Sequence, residues 1–214
     1  MATGTVFDEH AEGYDHWFDE NKQIYQAEVK ALQFLIPDAG SGLEIGIGTG
    51  RFSTPFGIRI GVEPSRNMVK IAKSRNIAVC QAVGENLPFN ENQFDFASLV
   101  TVVCFVKDVA RLLREVGRVI KVEGKIIIGF IDKDSALGQI YESRKDQNKF
   151  YKEAHFYSVP EIVAFLRQVG FGQMQFRQTI MGLPNSSETA YRVHEGYGEG
   201  AFVVISATKF YSEM

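Results

Sequence analysis

The feature that most constrains this chain is a glycine-rich turn, Leu43-Glu44-Ile45-Gly46-Ile47-Gly48-Thr49-Gly50, set between a short apolar run and a helical stretch. In open α/β sheets such a turn joins the first parallel strand to the first helix, at the carboxyl edge where ligands bind. Glycine permits the tight turn and a close approach of backbone to ligand, and the helix start offers free N–H groups. The downstream sequence keeps the alternation this fold requires. Apolar runs predict parallel strands at Ser41 to Gly46, Ile58 to Glu63, Ile77 to Val83, Asp95 to Val103 and Lys125 to Phe130. Ser65 is placed to cap a helix carrying Met68, Val69, Ile71 and Ala72 on one face, and Asp108 a helix with Val109, Leu112, Leu113, Val116 and Ile120. Gly124 is expected to break the chain into the fifth strand.

Past that strand, Asp132 to Tyr157 is polar and aromatic-rich. Ser158 and Glu161 then form a capping box ahead of Ile162, Phe165, Leu166 and Val169, closed by Gly170. Two last strands, Gln173 to Ile180 and Ala201 to Lys209, are joined by a loop from Gly182 to Gly200 too polar for a crossover helix, so they are expected to pair antiparallel. Residues 7–36 lie outside the alternation, with an amphipathic helical pattern in their second half. They form a helical extension, 1–36, ahead of a domain at 37–214, placed to cover the open edge of the site.

A chain of 214 residues fits one compact domain. Its formal charge of -3, with acids and bases interspersed, supplies no basic field and counts against nucleic acid as a partner. Cys80 and Cys104 lie in apolar runs without CxxC spacing and read as reduced core thiols. The start of the chain lacks an apolar signal region, and no stretch has the ~18 consecutive apolar residues of a membrane span. The chain is therefore expected in the cytoplasm, away from membranes. The four histidines form no HxxxH pair, so a metal site is not expected.

The chemistry of the glycine turn is narrowed by two details. A dinucleotide fingerprint needs GxGxxG, and the position of the third Gly is Arg51. Glu44, two residues ahead of Gly46, would repel a pyrophosphate but attract an ammonium. Glu63 ends the second strand, where a carboxylate can accept from both hydroxyls of a ribose. A ribose joined to an amino acid describes S-adenosylmethionine. A non-catalytic S-adenosylmethionine-binding module and a nicotinamide-dependent oxidoreductase stand as the alternatives.

Taken with GVEPS at 61–65, GENLPF at 84–89, FDFASLVTVV at 94–103 and REVGRVIKVEGKIIIGF at 114–130, the chain resembles the class I S-adenosylmethionine-dependent methyltransferases, in the small branch similar to quinone-biosynthesis C-methyltransferases. The resemblance implies a Rossmann-like three-layer α/β sandwich with a seven-stranded sheet of order 3-2-1-4-5-7-6, strand 7 antiparallel. It implies that Glu44, Gly46, Gly48 and Thr101 surround the methionine part, Glu63 the ribose, and Glu85, Asn86 and Leu87 the adenine edge. Where the family often has an acid for the adenine amino group, this chain has Val83. The run Tyr14-Asp15-His16-Trp17-Phe18 resembles the family's lid, with Tyr14 facing the site. His155 is a candidate base in the substrate-cap segment, against a packing role. The implied activity is methyl transfer to a small-molecule acceptor.

Overall fold

The structure is a computed structural model and describes residues 6–182 and 188–210. The chain opens with three helices, α1 (Val6–Glu9), α2 (Ala11–Glu20) and α3 (Lys22–Gln33). There follow β1 (Gly42–Ile45), β2 (Ile60–Val62), α4 (Arg66–Ser74), β3 (Ala78–Cys80), β4 (Phe94–Val100), α5 (Val109–Val119) and β5 (Ile120–Ile131). The last part contains α6 (Ala136–Arg144), α7 (Val159–Gln168), β6 (Phe171–Met181), β7 (His194–Glu195) and β8 (Gly200–Lys209).

The sheet runs β3-β2-β1-β4-β5-β8-β6-β7. The first five strands pair in parallel and β8 pairs antiparallel to both β5 and β6. This is a Rossmann-like sandwich with the expected order. It carries one additional strand, because His194 and Glu195 in the connecting loop pair with Gln178 and Arg177 at the edge of β6. The part of that loop at 183–187 lies outside the described residues.

Period-two alternation in β5 sends its residues to opposite layers. Ile126 and Ile128 pack with α5 and α7, against Leu112, Val116, Ile162 and Leu166. Ile127 points the other way, into a cluster with Ala31 and Leu32 of α3 and Leu137 of α6. A strand buried on both faces reads as a continuous apolar run, as Ile126 to Ile131 does. The caps foreseen in the sequence are present: Ser65 accepts from the Met68 amide at 3.2 Å, Asp108 from Arg111 at 2.8 Å, and Ser158 with Glu161 completes the capping box.

Four expectations change. β4 stops at Val100, because Thr101 takes φ 55° and the chain turns into a short 3-10 helix at Val103–Phe105. β5 begins at Ile120 directly after α5, and Gly124 marks a bulge within it, where a Cβ would lie 2.8 Å from the Asp95 carbonyl oxygen. The aromatic-rich stretch contains α6, capped by Ser135, whose side chain accepts from Gly138 at 3.0 Å. Cys80 is exposed, since β3 forms the sheet edge and only its central Val79 faces the core, while Cys104 is half-buried.

Candidate active site

At the carboxyl ends of β1, β2 and β4 lies a cavity of about 710 Å³. Its wall includes Gly46, Gly48, Glu63, Thr101 and Tyr14, five residues that are far apart in sequence. Gly46 and Gly48 adopt φ of 67° and 55°. The first of these turns the chain back so that the Gly46 and Ile47 amides both donate to the Val62 carbonyl, at 2.8 and 3.0 Å. A Cβ on Gly46 would lie 2.5 Å from a Val102 methyl, so glycine is needed there for two reasons.

Glu63 is buried beside the cavity and accepts from the amides of Gly48 at 3.0 Å and Ser65 at 2.9 Å. Burial raises its carboxyl above the ordinary range, and those two amides oppose the rise. A carboxylate has about four acceptor sites, so two amides leave capacity for a pair of hydroxyls. The neighbouring wall is Pro64, Ser65 and Met68.

The roof comes from the N-terminal extension. The Tyr14 ring covers Gly48, its edge 3.8 Å from where a Cβ would stand. It packs edge-on against Phe18 and Phe7, with centroids 5.3 and 5.8 Å apart. Burial pushes the Tyr14 phenol well above its usual range, and Thr101 opposes this. The extension is held at both ends. Asp8 caps the start of α4 from outside, accepting from Ser65 Oγ at 2.8 Å and the Asn67 amide at 2.9 Å. Arg51 reaches from the glycine loop to Asp15 and Asp19 of α2.

Of the other predicted residues, Glu44, Glu85, Asn86 and Leu87 lie off the cavity wall. Glu44 is fully buried beneath the loop, where Ser53 Oγ donates to it, and burial pushes its carboxyl up to about 8. Its place in the middle of β1 aims it into the protein rather than at the wall. Leu87 is buried, with its amide donating to Glu115 at 2.8 Å, and the Glu85 carbonyl accepts from Arg111 at 2.9 Å. Asn86 is exposed, and neither these three residues nor Val83 borders the cavity. His155 is exposed on the cavity wall, its ring 4.6 Å from that of Tyr157. Trp17, 37% exposed, borders a second cavity instead.

That second space, of about 430 Å³, shares Phe7, Tyr14, Thr101, Phe105 and Phe150 with the first. It also contains a carboxyl the sequence reading passed over, Glu28. The signal was present: Glu28 falls in the stripe of Ile24, Ala27, Ala31 and Leu32, where an apolar residue is expected on a core-facing helix. In the sequence Arg51 reads only as the residue in place of a third glycine, because its partners Asp19 and Asp15 lie 32 and 36 residues away. Among the described residues, no three His, Cys, Asp or Glu side chains gather as a metal site.

A methyltransferase domain model matches residues 43–128, from β1 to the middle of β5. An uncharacterised protein of Methanocaldococcus jannaschii is 50% identical over 204 residues, covering 95% of this chain and 98% of its own. A demethylmenaquinone methyltransferase of Corynebacterium kroppenstedtii is 32% identical over 83 residues, 39% of this chain and 36% of its own. The crystal structure of an S-adenosylmethionine-dependent methyltransferase of Thermotoga maritima, named as a possible histamine N-methyltransferase, superposes with a TM-score of 0.92 at 43% identity, over 95% of this chain and 98% of its own. The carboxyl-edge cavity, the buried Glu63 and these matches lead to one assignment: the chain belongs to the S-adenosylmethionine-dependent methyltransferases.

Proposed function

We propose that the enzyme methylates a small-molecule acceptor bound next to the cofactor, beneath the N-terminal helices. The observation that carries this reading is the pair of adjoining cavities with Tyr14, Thr101 and Phe105 in their common wall, the second walled largely by rings. An enclosed apolar space with few polar groups suits a small molecule. The net charge of -3 counts against a polyanionic acceptor.

The residues present fit S-adenosylmethionine. Glu63, with acceptor capacity left at the cavity wall, would hold the ribose diol. Gly46 and Gly48 bring bare backbone to the same wall, and Tyr14 lays an aromatic surface above it. Glu44 would act from below, through the loop rather than by touching the cofactor. S-adenosylmethionine, when bound, supplies a methyl group on a sulfonium, already activated for transfer. The protein's part is therefore positioning and exclusion of water. Phe7, Phe105 and Phe150 form an apolar collar between the two cavities, with centroid spacings of 5.0 and 5.3 Å. We further propose that residues 7–20 act as a lid, since the product must leave a site that they roof.

Thermal-shift and calorimetric titrations test cofactor choice. S-adenosylhomocysteine should raise the melting temperature and NAD should not. For the acceptor, labelled methyl groups from S-adenosylmethionine should pass to the low-molecular-weight fraction of an extract. Label confined to protein or nucleic acid would overturn the small-molecule reading, and binding without any transfer would favour a non-catalytic module.

A further inference from the structure

Glu28 lies in α3 on the helix's buried face and is 6% exposed. It borders the second cavity, and among the described residues no donor bonds to its carboxyl. A carboxyl removed from water without a partner is costly, and such groups are retained where something else supplies the partner. Its surroundings select what that can be. The same cavity is bordered by the rings of Tyr14, Phe18, Phe105, Tyr141, Phe150 and Tyr151. Aromatic faces are the negative side of the ring quadrupole, so together with a carboxylate they favour a compact cation over an anion or a neutral hydroxyl. Lys149, the other charged residue on this wall and one that also lines the first cavity, is exposed and sits over Phe150 with its Nζ 5.1 Å from the centroid.

We propose that this second cavity is the acceptor site and that it takes a small amine, bound as its ammonium by Glu28 among the aromatic rings. The proposal deepens the methyl-transfer reading and rests on it. Tyr14, Thr101 and Phe105 line both cavities, so an amine held by Glu28 would lie in the space that adjoins the cofactor cavity.

Glu28 also supplies what N-methylation needs from the protein. An ammonium has no lone pair with which to attack a methyl group. Transfer of one proton from the ammonium nitrogen to a Glu28 oxygen leaves the N–H bonding pair on nitrogen as a lone pair. A cation and a carboxylate become a neutral amine and a carboxylic acid, with total charge zero before and after. Burial pushes the empty-site carboxyl up to about 8, within the range where both forms are accessible near neutral pH. The groups that face it electrostatically are the phenols Tyr14, Tyr25, Tyr141 and Tyr151.

Calorimetry of the full chain saturated with S-adenosylhomocysteine tests this, using phenethylamine and isopentylamine against the alcohols of the same skeleton, 2-phenylethanol and 3-methylbutanol. The amines should bind at least about tenfold more tightly, the scale of a charge-assisted bond to a buried carboxylate. At neutral pH their binding should release a proton to the buffer as Glu28 ionises. Glu28→Gln should abolish both the preference and the proton release while leaving S-adenosylhomocysteine affinity unchanged. Equal affinity for amine and alcohol overturns the proposal, as does a Glu28→Gln variant that keeps the amine preference. Should that variant fail to fold, the amine-alcohol comparison in the unaltered chain decides alone. Failure of S-adenosylhomocysteine to bind is a separate result, and it would overturn the parent reading as well.

Discussion

Arg51 grips Asp15 with two parallel bonds, Nε to Oδ1 at 2.9 Å and Nη2 to Oδ2 at 2.8 Å, so the residue that follows the glycine turn ties helix α2 over the carboxyl-edge cavity. The same Asp15 oxygen also accepts from Arg75 Nη2 at 2.9 Å. Burial pushes the Asp15 carboxyl upward, but the two guanidinium groups outweigh it and hold the carboxyl well below the usual carboxylate range. Arg51 also pairs at two points with Asp19, Nη1 to Oδ1 at 2.8 Å and Nη2 to Oδ2 at 2.7 Å, but Asp19 is the more exposed partner, so solvent screens that contact more.

Arg51→Ala should loosen the roof without disrupting the sheet. A stability loss of about 1 to 3 kcal/mol is expected from the lost charge-assisted bonds. Amide exchange across 11–20 should rise more than in β4 or β5. S-adenosylhomocysteine, once bound, should restore part of the protection if the segment is a lid. Identical exchange with and without ligand would make it a fixed structural element instead.

Asp15 also predicts an acid limit. A carboxyl whose pKa is depressed on folding contributes stability above its unfolded value of about 3.8 and loses it as pH falls through that value toward the folded one. Asp15→Asn should therefore narrow its stability deficit relative to the unaltered chain between about pH 5 and pH 2, read by melting temperature in low salt. A deficit independent of pH would show that the pair adds nothing electrostatic.

Glu28 behaves in the opposite sense. Its folded value of about 8 lies above the 4.5 of an ordinary glutamate, so the folded chain binds the extra proton between those limits, and stability falls as pH rises through them. Glu28→Gln removes that penalty. It should stabilise the fold little at pH 5 and most above pH 8, by on the order of 2 to 4 kcal/mol at full ionisation, read as a rise in melting temperature. A stabilisation of equal size at both pH values would disprove the assigned shift.

Glu63→Ala should weaken S-adenosylhomocysteine binding by about 1.5 to 3 kcal/mol, the range for bonds to a charged group. Glu63→Gln should lose less, because an amide oxygen can still accept from Gly48 or Ser65. Unchanged affinity of both variants in calorimetry would remove Glu63 from the cofactor site.

Tyr14→Leu separates charge recognition from packing. A ring near a sulfonium attracts its positive charge by about 1 to 2 kcal/mol when water is excluded, and the thioether of S-adenosylhomocysteine lacks that charge. The variant should therefore lose more affinity for S-adenosylmethionine than for S-adenosylhomocysteine. Equal losses would mean that Tyr14 acts by shape alone.

Much of the scaffold is local information. The strands at 42–45, 94–100 and 200–209 are mostly apolar runs, and the caps Ser65, Asp108 and Ser158 act over three residues, so both can be seen in the chain itself. The positions of Gly46, Gly48 and Glu63 at the sheet's carboxyl edge follow from the strand-turn-helix order for the same reason. Helix α6 was not visible because Ala136–Arg144 has almost no amphipathic pattern and is held by its Ser135 cap and by burial of Leu137. Glu44 stands in the glycine-turn motif and Glu85, Asn86 and Leu87 in the separate motif at 84–89, but which way each side chain points depends on packing. Burial of Glu44 against Ser53 and the bond from the Leu87 amide to Glu115 are set by contacts with other elements. Two long-range facts needed the folded chain. Arg51 meets Asp15 only once α2 lies across the loop, and Glu28 shares a cavity with rings from residues 14 to 151 only once α2, α3, α6 and the segments around Phe105 and Tyr151 converge. Sequence periodicity determines which face of an element is buried, whereas what is buried against it depends on which distant segments the topology brings there.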